Sequence, residues 1–368
     1  FLWKHVNSPS MVKKIIIVSI TIIIAAIAII AARNLKSTDN PCKNEKYITA
    51  EPGTCLDPGA YRLIQAVEKF EENPYKNDFA IKLVNLFEPR IYKTIDTVAT
   101  GEEFDVPLRI YYPNRKSVNS PTPVIMFIHG GGFVFGSIEE YDMAVKKFAK
   151  VTGYIIVSIN YRLAPEHPFP AALNDAEQAL SWITSNMEFI GGKGKKICVM
   201  GDSAGANLAT VIALKNRNED KNQVLCQILY YPPTTFEEKV FPSRRYFLLD
   251  TTRTYLLSEE FVRKSKESYI PPEISVSNPY VSPLKANLEK KLPPVLIMNA
   301  QIDPLRDDGR LYAEKLEKAG QNVTYIEYPG ILHGFFNFYM IFDEGVESMK
   351  KAKDFITGNL NQEGEDQG

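Results

Sequence analysis

Short apolar runs separated by longer amphipathic stretches dominate the chain from residue 91 onward. Runs at 91–98, 108–112, 124–128, 154–159, 197–200, 224–230, 295–300 and 323–327 are rich in Val, Ile, Leu and aromatic residues and are punctuated by Gly, Pro, Asn or Asp. They read as strands. Between the later runs, residues 139–152, 171–186, 206–215 and 309–319 carry apolar side chains at helical spacing. Apolar strands alternating with helices predict a mostly parallel sheet, eight strands in all, covered by helices on both faces. Ser137 and Glu140 stand at capping-box spacing, which fixes the start of the helix after Gly136.

Two regions break this rhythm. Residues 58–86 are patterned as helix, with Leu63, Ile64, Val67 and Phe70 on one face. Residues 232–292 mix charges, aromatics and prolines around one helix-like piece at 258–268. Together these are expected to form a helical cap over the carboxyl edge of the sheet. The expected organisation is an N-terminal membrane anchor or signal segment at 1–32 and a stalk with the first part of the cap at 33–90. The α/β core takes 91–232 and 291–357, the cap insertion 233–290, and a polar, disordered tail 358–368. Within the first segment, residues 15–32 form an apolar run of 18 interrupted only by Ser19 and Thr21, with Lys13 and Lys14 before it and Arg33 and Lys36 after it. That length predicts a single membrane span. A signal cleaved near Ala26–Ala28, giving a secreted protein, is the alternative.

Composition changes the picture little. Of 368 residues 45% are hydrophobic and 24% charged, with a net charge of −1 and no long basic run. That is an ordinary globular balance, and it excludes nucleic acid as a partner. Of the four cysteines, Cys198 and Cys226 lie in apolar strands and read as buried small hydrophobes. Cys42 and Cys55 fall in the polar stalk and read equally well as a local disulfide or as two free thiols. None has metal-site spacing with histidine, and no metal or organic cofactor is expected.

The chemistry centres on Gly201-Asp202-Ser203-Ala204-Gly205, set between an apolar strand and a helical stretch. A serine on a sharp strand-to-helix turn, with glycine two residues to either side, is a nucleophile elbow. Asp202 is expected to support it through local hydrogen bonds, a plain surface acid being the other reading. A serine hydroxyl needs a base. Of His5, His129, His167 and His333, only His333 follows the serine, in a loop after the 323–327 strand. The orienting acid is expected just past the 295–300 strand. Asp303 is favoured there over Asp307, which together with Asp308 suits the start of the next helix. Three glycines follow His129 directly after the 124–128 strand, and the N–H groups of Gly131, Gly132 and Ala204 are the candidate oxyanion donors. Phe133 and Phe135, with Phe241, Tyr246 and Phe247 of the insertion, are candidates for an acyl pocket, and core or cap packing accounts for them equally well.

Six segments carry a family resemblance: HGGGFVFGS (129–137), NYRLAPEHPFPAA (160–172), GDSAG (201–205), SPL (282–284), DPLRDDG (303–309) and HGF (333–335). In this order, over about residues 100–345, they resemble the hormone-sensitive-lipase branch of the α/β-hydrolases. The resemblance implies an α/β-hydrolase fold with an eight-stranded sheet and a cap, and a triad of Ser203, Asp303 and His333. It implies a serine carboxylic-ester hydrolase that acts through an acyl-enzyme on small to medium acyl esters. A membrane run ahead of such a domain is similar to the arylacetamide deacetylase-like members. The cap segments 33–90 and 233–290 match only loosely. An amidase or a lipase of the same fold, or a non-catalytic receptor on the same scaffold, are the alternative functions.

Overall fold

The computed structural model describes residues 43, 47–71, 88–237, 241–248 and 255–366. The expected span at 15–32, Cys42, and residues 72–87 of the expected cap lie outside these. Among the described residues no helix is long and apolar enough to cross a membrane.

Eight strands form one sheet in the order β1-β2-β4-β3-β5-β6-β7-β8. They are β1 (Lys93–Ala99), β2 (Val106–Tyr112), β3 (Val124–Ile128), β4 (Ile155–Ile159), β5 (Ile197–Asp202), β6 (Val224–Tyr230), β7 (Val295–Ile302) and β8 (Val323–Leu332). β2 runs antiparallel to β1 and β4, and all later pairs are parallel. The centre of the sheet is dry on both sides, with every residue of β3, β4 and β5 buried. Alternate side chains of β3 divide between two cores. Val124, Met126 and Ile128 join one, while Ile125 and Phe127 join the other, as a period of two demands.

Helices cover both faces. α1 (Pro58–Glu71), the short α2 (Lys116–Asn119), α3 (Ile138–Thr152), α4 (Ala171–Ser185) and α5 (Met187–Ile190) precede the elbow. α6 (Ala204–Asn218), α7 (Pro242–Phe247), α8 (Glu259–Tyr269), α9 (Arg306–Lys318) and α10 (Asp343–Asp366) follow it. α3 and α10 pack on one face, and α4, α6 and α9 supply apolar residues to the other. α3 starts where expected, because the Ser137 hydroxyl accepts the Glu140 N–H at 3.2 Å. α1 buries Leu63 and Ile64 and docks beside the carboxyl end of β8, where the Asp57 N–H donates to the Gly330 carbonyl at 2.9 Å. α7 and α8 belong to the insertion between β6 and β7.

Three expectations need correction. Residues 358–366 are not a disordered tail but the last part of α10. Leu360 sits one turn after the buried Ile356 and carries the packed face onward. Cys198 and Cys226 are buried but are not independent hydrophobes. Parallel pairing of β5 and β6 sets them directly opposite each other, and they form a disulfide with a Cα–Cα distance of 4.6 Å. Cys55 is also disulfide-bonded. Finally, β8 does not stop at Glu327. It runs on to Leu332, which pairs with Ile302 past an irregularity in β7, so His333 leaves the strand end directly.

Candidate active site

The carboxyl ends of β3, β5, β7 and β8 lie on one edge of the parallel sheet, and each delivers a candidate group there. Ser203 follows β5 with φ 51° and ψ −123°, a region that costs a non-glycine residue about 1–3 kcal/mol. The surroundings hold it in place. Its N–H donates to the Tyr230 carbonyl at 2.9 Å, and its own carbonyl accepts the N–H groups of Ala206 and Asn207 at 3.0 and 3.1 Å. The buried Asn207 side chain then reaches Pro233 O at 2.8 Å and Val281 O at 3.0 Å, which ties the elbow helix to both ends of the insertion.

The two elbow glycines are there for close approach. A Cβ on Gly201 would collide with the backbone of Gly205, and one on Gly205 would collide with the carbonyls of Ile128 and His129. The serine turn and the glycine-rich loop are thus pressed backbone to backbone. Gly205→Ala is expected to destabilise the fold by about 3 kcal/mol through overpacking, read as a lowered midpoint in urea unfolding.

His333 sits between the serine and the acid. Its Nε2 lies 3.1 Å from Ser203 Oγ and its Nδ1 lies 2.7 Å from Asp303 Oδ2. A carboxylate only accepts, so Nδ1 carries the ring proton and Nε2 presents its lone pair to the hydroxyl. Asp303 is fully buried, and its other oxygen accepts the Leu305 N–H at 2.7 Å, so the carboxylate cannot swing. The Tyr231 ring packs against the imidazole with centroids 4.4 Å apart. The structure therefore brings together Ser203, His333 and Asp303. It leaves the other candidate acid elsewhere: Asp307 faces Arg306, Arg310 and the Ser243 N–H.

Sequence reasoning did not foresee the frame around that acid. Arg306 is bidentate to Glu51, at 2.5 and 2.9 Å, and also touches Asp307. Arg244 of α7 pairs with the buried Asp308 at 2.8 Å. These pairs clamp the N-terminal segment and the insertion onto the loop that holds Asp303.

The glycine-rich loop leaves β3 at His129. Gly131 and Gly132 adopt φ 109° and 63°, open to glycine and strained for other residues. Ala204 opens α6, whose first-turn N–H groups have no partner within the helix. The loop is fixed from below by Asp202, which is buried. Asp202 Oδ1 accepts the Gly130 N–H at 2.8 Å, and Oδ2 accepts the Tyr141 hydroxyl at 3.1 Å. Tyr141 had no sequence signal. His129 is fully buried against Tyr161, with ring centroids 4.2 Å apart, and desolvation lowers its pKa to about 4. Its Nδ1 lies 2.8 Å from the Gly130 carbonyl, so it serves the loop's shape. Phe133 is buried and stacks face to face on Tyr269 of α8 at 3.7 Å. Phe135 stacks on Phe261 at 6.0 Å, and Phe247 is buried against Tyr255. Packing between loop and cap accounts for these rings.

Burial pushes the Asp202 carboxyl up to about 6, against the pull of His333 and its own hydrogen bonds. Its unfolded value is that of an ordinary Asp, so the folded state binds the proton more tightly. The stability this gives is complete below about pH 4 and is lost as pH rises through about 6. Asp202→Asn removes that titration. The stability of the variant relative to the parent should therefore fall by about 2 kcal/mol between pH 7 and pH 4, measured by urea unfolding across that range.

A strained serine on an elbow, an imidazole within reach and a buried carboxylate behind it define a serine hydrolase. The sequence profile of the α/β-hydrolase fold family matches residues 125–337, and the chain belongs to that family. It is 34% identical to a carboxylesterase of Mycobacterium tuberculosis over 66% of this chain and 75% of that one. It is 29% identical to an ethyl acetate hydrolase of Pseudomonas putida over 72% of this chain and 82% of that one. Among solved structures, an esterase of Pyrobaculum calidifontis superimposes with a TM-score of 0.74 at 33% identity, covering 82% of this chain and 98% of that one. Fold and relatives together make the chain a serine carboxylic-ester hydrolase.

Proposed function

We propose that Ser203, His333 and Asp303 form the catalytic triad, and that the substrates are carboxylic esters with small to medium acyl groups. The observation that carries the assignment is the imidazole of His333, with Nε2 3.1 Å from the serine oxygen and Nδ1 2.7 Å from the buried carboxylate. His333 takes the Ser203 proton as the oxygen attacks the acyl carbonyl, and Asp303 stabilises the imidazolium that results. The N–H groups of Gly131, Gly132 and Ala204 receive the negative charge on the carbonyl oxygen. His333 then protonates the leaving alcohol. Water, activated by the same base, releases the acid and restores the serine.

Two features support short acyl groups. The cap helix α8 closes tightly on the oxyanion loop, since a Cβ on Gly132 would meet Ser265 and Phe261. The Phe133–Tyr269 stack also fills the space beside the loop. A relative named for ethyl acetate hydrolysis points the same way. In a series of p-nitrophenyl esters from acetate to palmitate, kcat/KM should peak between acetate and hexanoate and exceed that for the matching anilides. A maximum at palmitate would favour a lipase, and faster anilide cleavage would favour an amidase.

We further propose that residues 15–32 anchor the domain to a membrane, as in arylacetamide deacetylase-like enzymes, with the catalytic domain on the oxidising, non-cytosolic side. The apolar run supports the anchor. The Cys198–Cys226 bond and the bonded Cys55 support the oxidising side. After carbonate extraction of expressing cells the chain should remain in the membrane pellet. Recovery in the culture medium would support cleavage and secretion instead.

A further inference from the structure

We infer that Asn322 carries an N-linked glycan. The inference rests on the proposed non-cytosolic placement of the domain. Asn322-Val323-Thr324 is the one Asn-x-Ser/Thr sequence without proline at the middle position in all 368 residues, and that tripeptide is the acceptor for N-glycosylation. Asn7-Ser8-Pro9 and Asn119-Ser120-Pro121 end on proline instead.

The fold presents this tripeptide as an acceptor must be presented. Asn322 and Thr324 are both exposed. They lie where the chain turns from α9 into β8, and the neighbours on the core side are the ones held down. Gln321 is buried, accepts the Leu292 N–H at 2.8 Å and donates to the Leu288 carbonyl at 2.7 Å. The Asn322 carbonyl accepts the Val295 N–H at 2.9 Å, which binds the main chain into the sheet and leaves the side chain in solvent.

Two consequences of position support the site. First, β8 (Val323–Leu332) lies between Asn322 and His333, so the acceptor lies roughly 30 Å from the reacting groups, at the opposite edge of the sheet. A large sugar there leaves substrate entry free. Second, β8 is the outer strand, and among the described residues it pairs only with β7. An open edge of this kind invites pairing with other chains. A glycan at its first turn is a bulky hydrophilic cover for that edge.

In the transfer step the Asn322 amide nitrogen attacks the anomeric carbon of a polyprenyl-pyrophosphate-linked oligosaccharide, the co-reactant of the secretory route. An N–C bond forms at Nδ2, which loses one proton, and the bond from that carbon to the phosphate oxygen breaks. The polyprenyl pyrophosphate leaves with the electron pair, and no oxidant or reductant is needed.

The test uses the full chain expressed in eukaryotic cells. Digestion with peptide-N-glycosidase F should increase gel mobility by one glycan and convert Asn322 to Asp in the corresponding peptide. Asn322→Gln and Thr324→Ala should lose the shift, Thr324→Ser should keep it, and Asn322→Gln should retain parental kcat/KM. The state of Cys198 and Cys226, read by thiol alkylation in the same sample, separates two ways of failing. An unmodified Asn322 in a chain with Cys198 and Cys226 bonded would overturn this inference alone. An unmodified Asn322 with both thiols free would overturn the non-cytosolic placement as well.

Discussion

Ser203→Ala should lower kcat for p-nitrophenyl butyrate by about 10⁴- to 10⁶-fold, with the thermal midpoint of unfolding near that of the parent. The size follows from the absence of a substitute. Among the described residues the hydrogen-bond partner of His333 Nε2 is Ser203 Oγ, with no second hydroxyl bonded to it. Without that oxygen no acyl-enzyme forms, and what remains is the modest effect of the loop amides on direct attack by water. Stability should hold, or rise slightly, because the residue sits at φ 51° for reasons of function. A residual rate within a hundredfold of the parent would mean that the hydrolysis occurs elsewhere.

The second large effect is Asp303→Asn, expected to cost about 10⁴-fold in kcat. An amide keeps the shape of the carboxyl and can still accept the Leu305 N–H through its oxygen, as Asp303 Oδ1 does at 2.7 Å. The position facing His333 Nδ1 is then an NH₂ group, which donates. It therefore favours the tautomer with the proton on Nε2, and such a ring cannot accept the serine proton. Asp307→Asn is the control. Its carboxylate faces Arg306, Arg310 and the Ser243 N–H, with no contact to the imidazole. It should lower stability by about 3 kcal/mol, as expected when one partner of a buried ion pair is lost, and leave kcat within a few-fold. If the two effects were exchanged, Asp307 would be the orienting acid.

The legible parts of this chain are those where local chemistry and burial agree. β3 and β6 were readable to the residue, since they are apolar runs, broken only by Gln227 in β6, closed by a histidine with glycines or by tyrosine and proline. The elbow and the glycine-rich loop were readable because few residue types fit where backbones touch, as at Gly205 against Ile128 and His129. What failed depended on partners distant in sequence. β8 looked finished at Glu327 because Tyr328-Pro329-Gly330 resembles a turn, yet pairing with β7 carries it to Leu332. The end of α10 is polar and looked unstructured, because a single leucine packing on the core is invisible without the core. Cys198 and Cys226 are 28 residues apart, and only the register of β5 against β6 makes them neighbours. Tyr141 and Arg306 fall in the same class. Nothing local distinguishes a tyrosine that holds Asp202, or an arginine that clasps Glu51, from a surface residue. In the insertion the helix at 258–268 was legible and is α8, whereas its contacts, Arg244 on Asp308 and Ser265 on Gly132, were not, because they depend on partners distant in sequence.

The most direct measurement is the intact mass and peptide map of the protein after reaction with a fluorophosphonate, an acyl-transfer mimic that phosphonylates an activated serine. One adduct per chain on Ser203, formed rapidly by the parent and abolished by His333→Ala in folded protein, is the predicted result. A folded parent that takes up no adduct, or one modified at another serine, would contradict it.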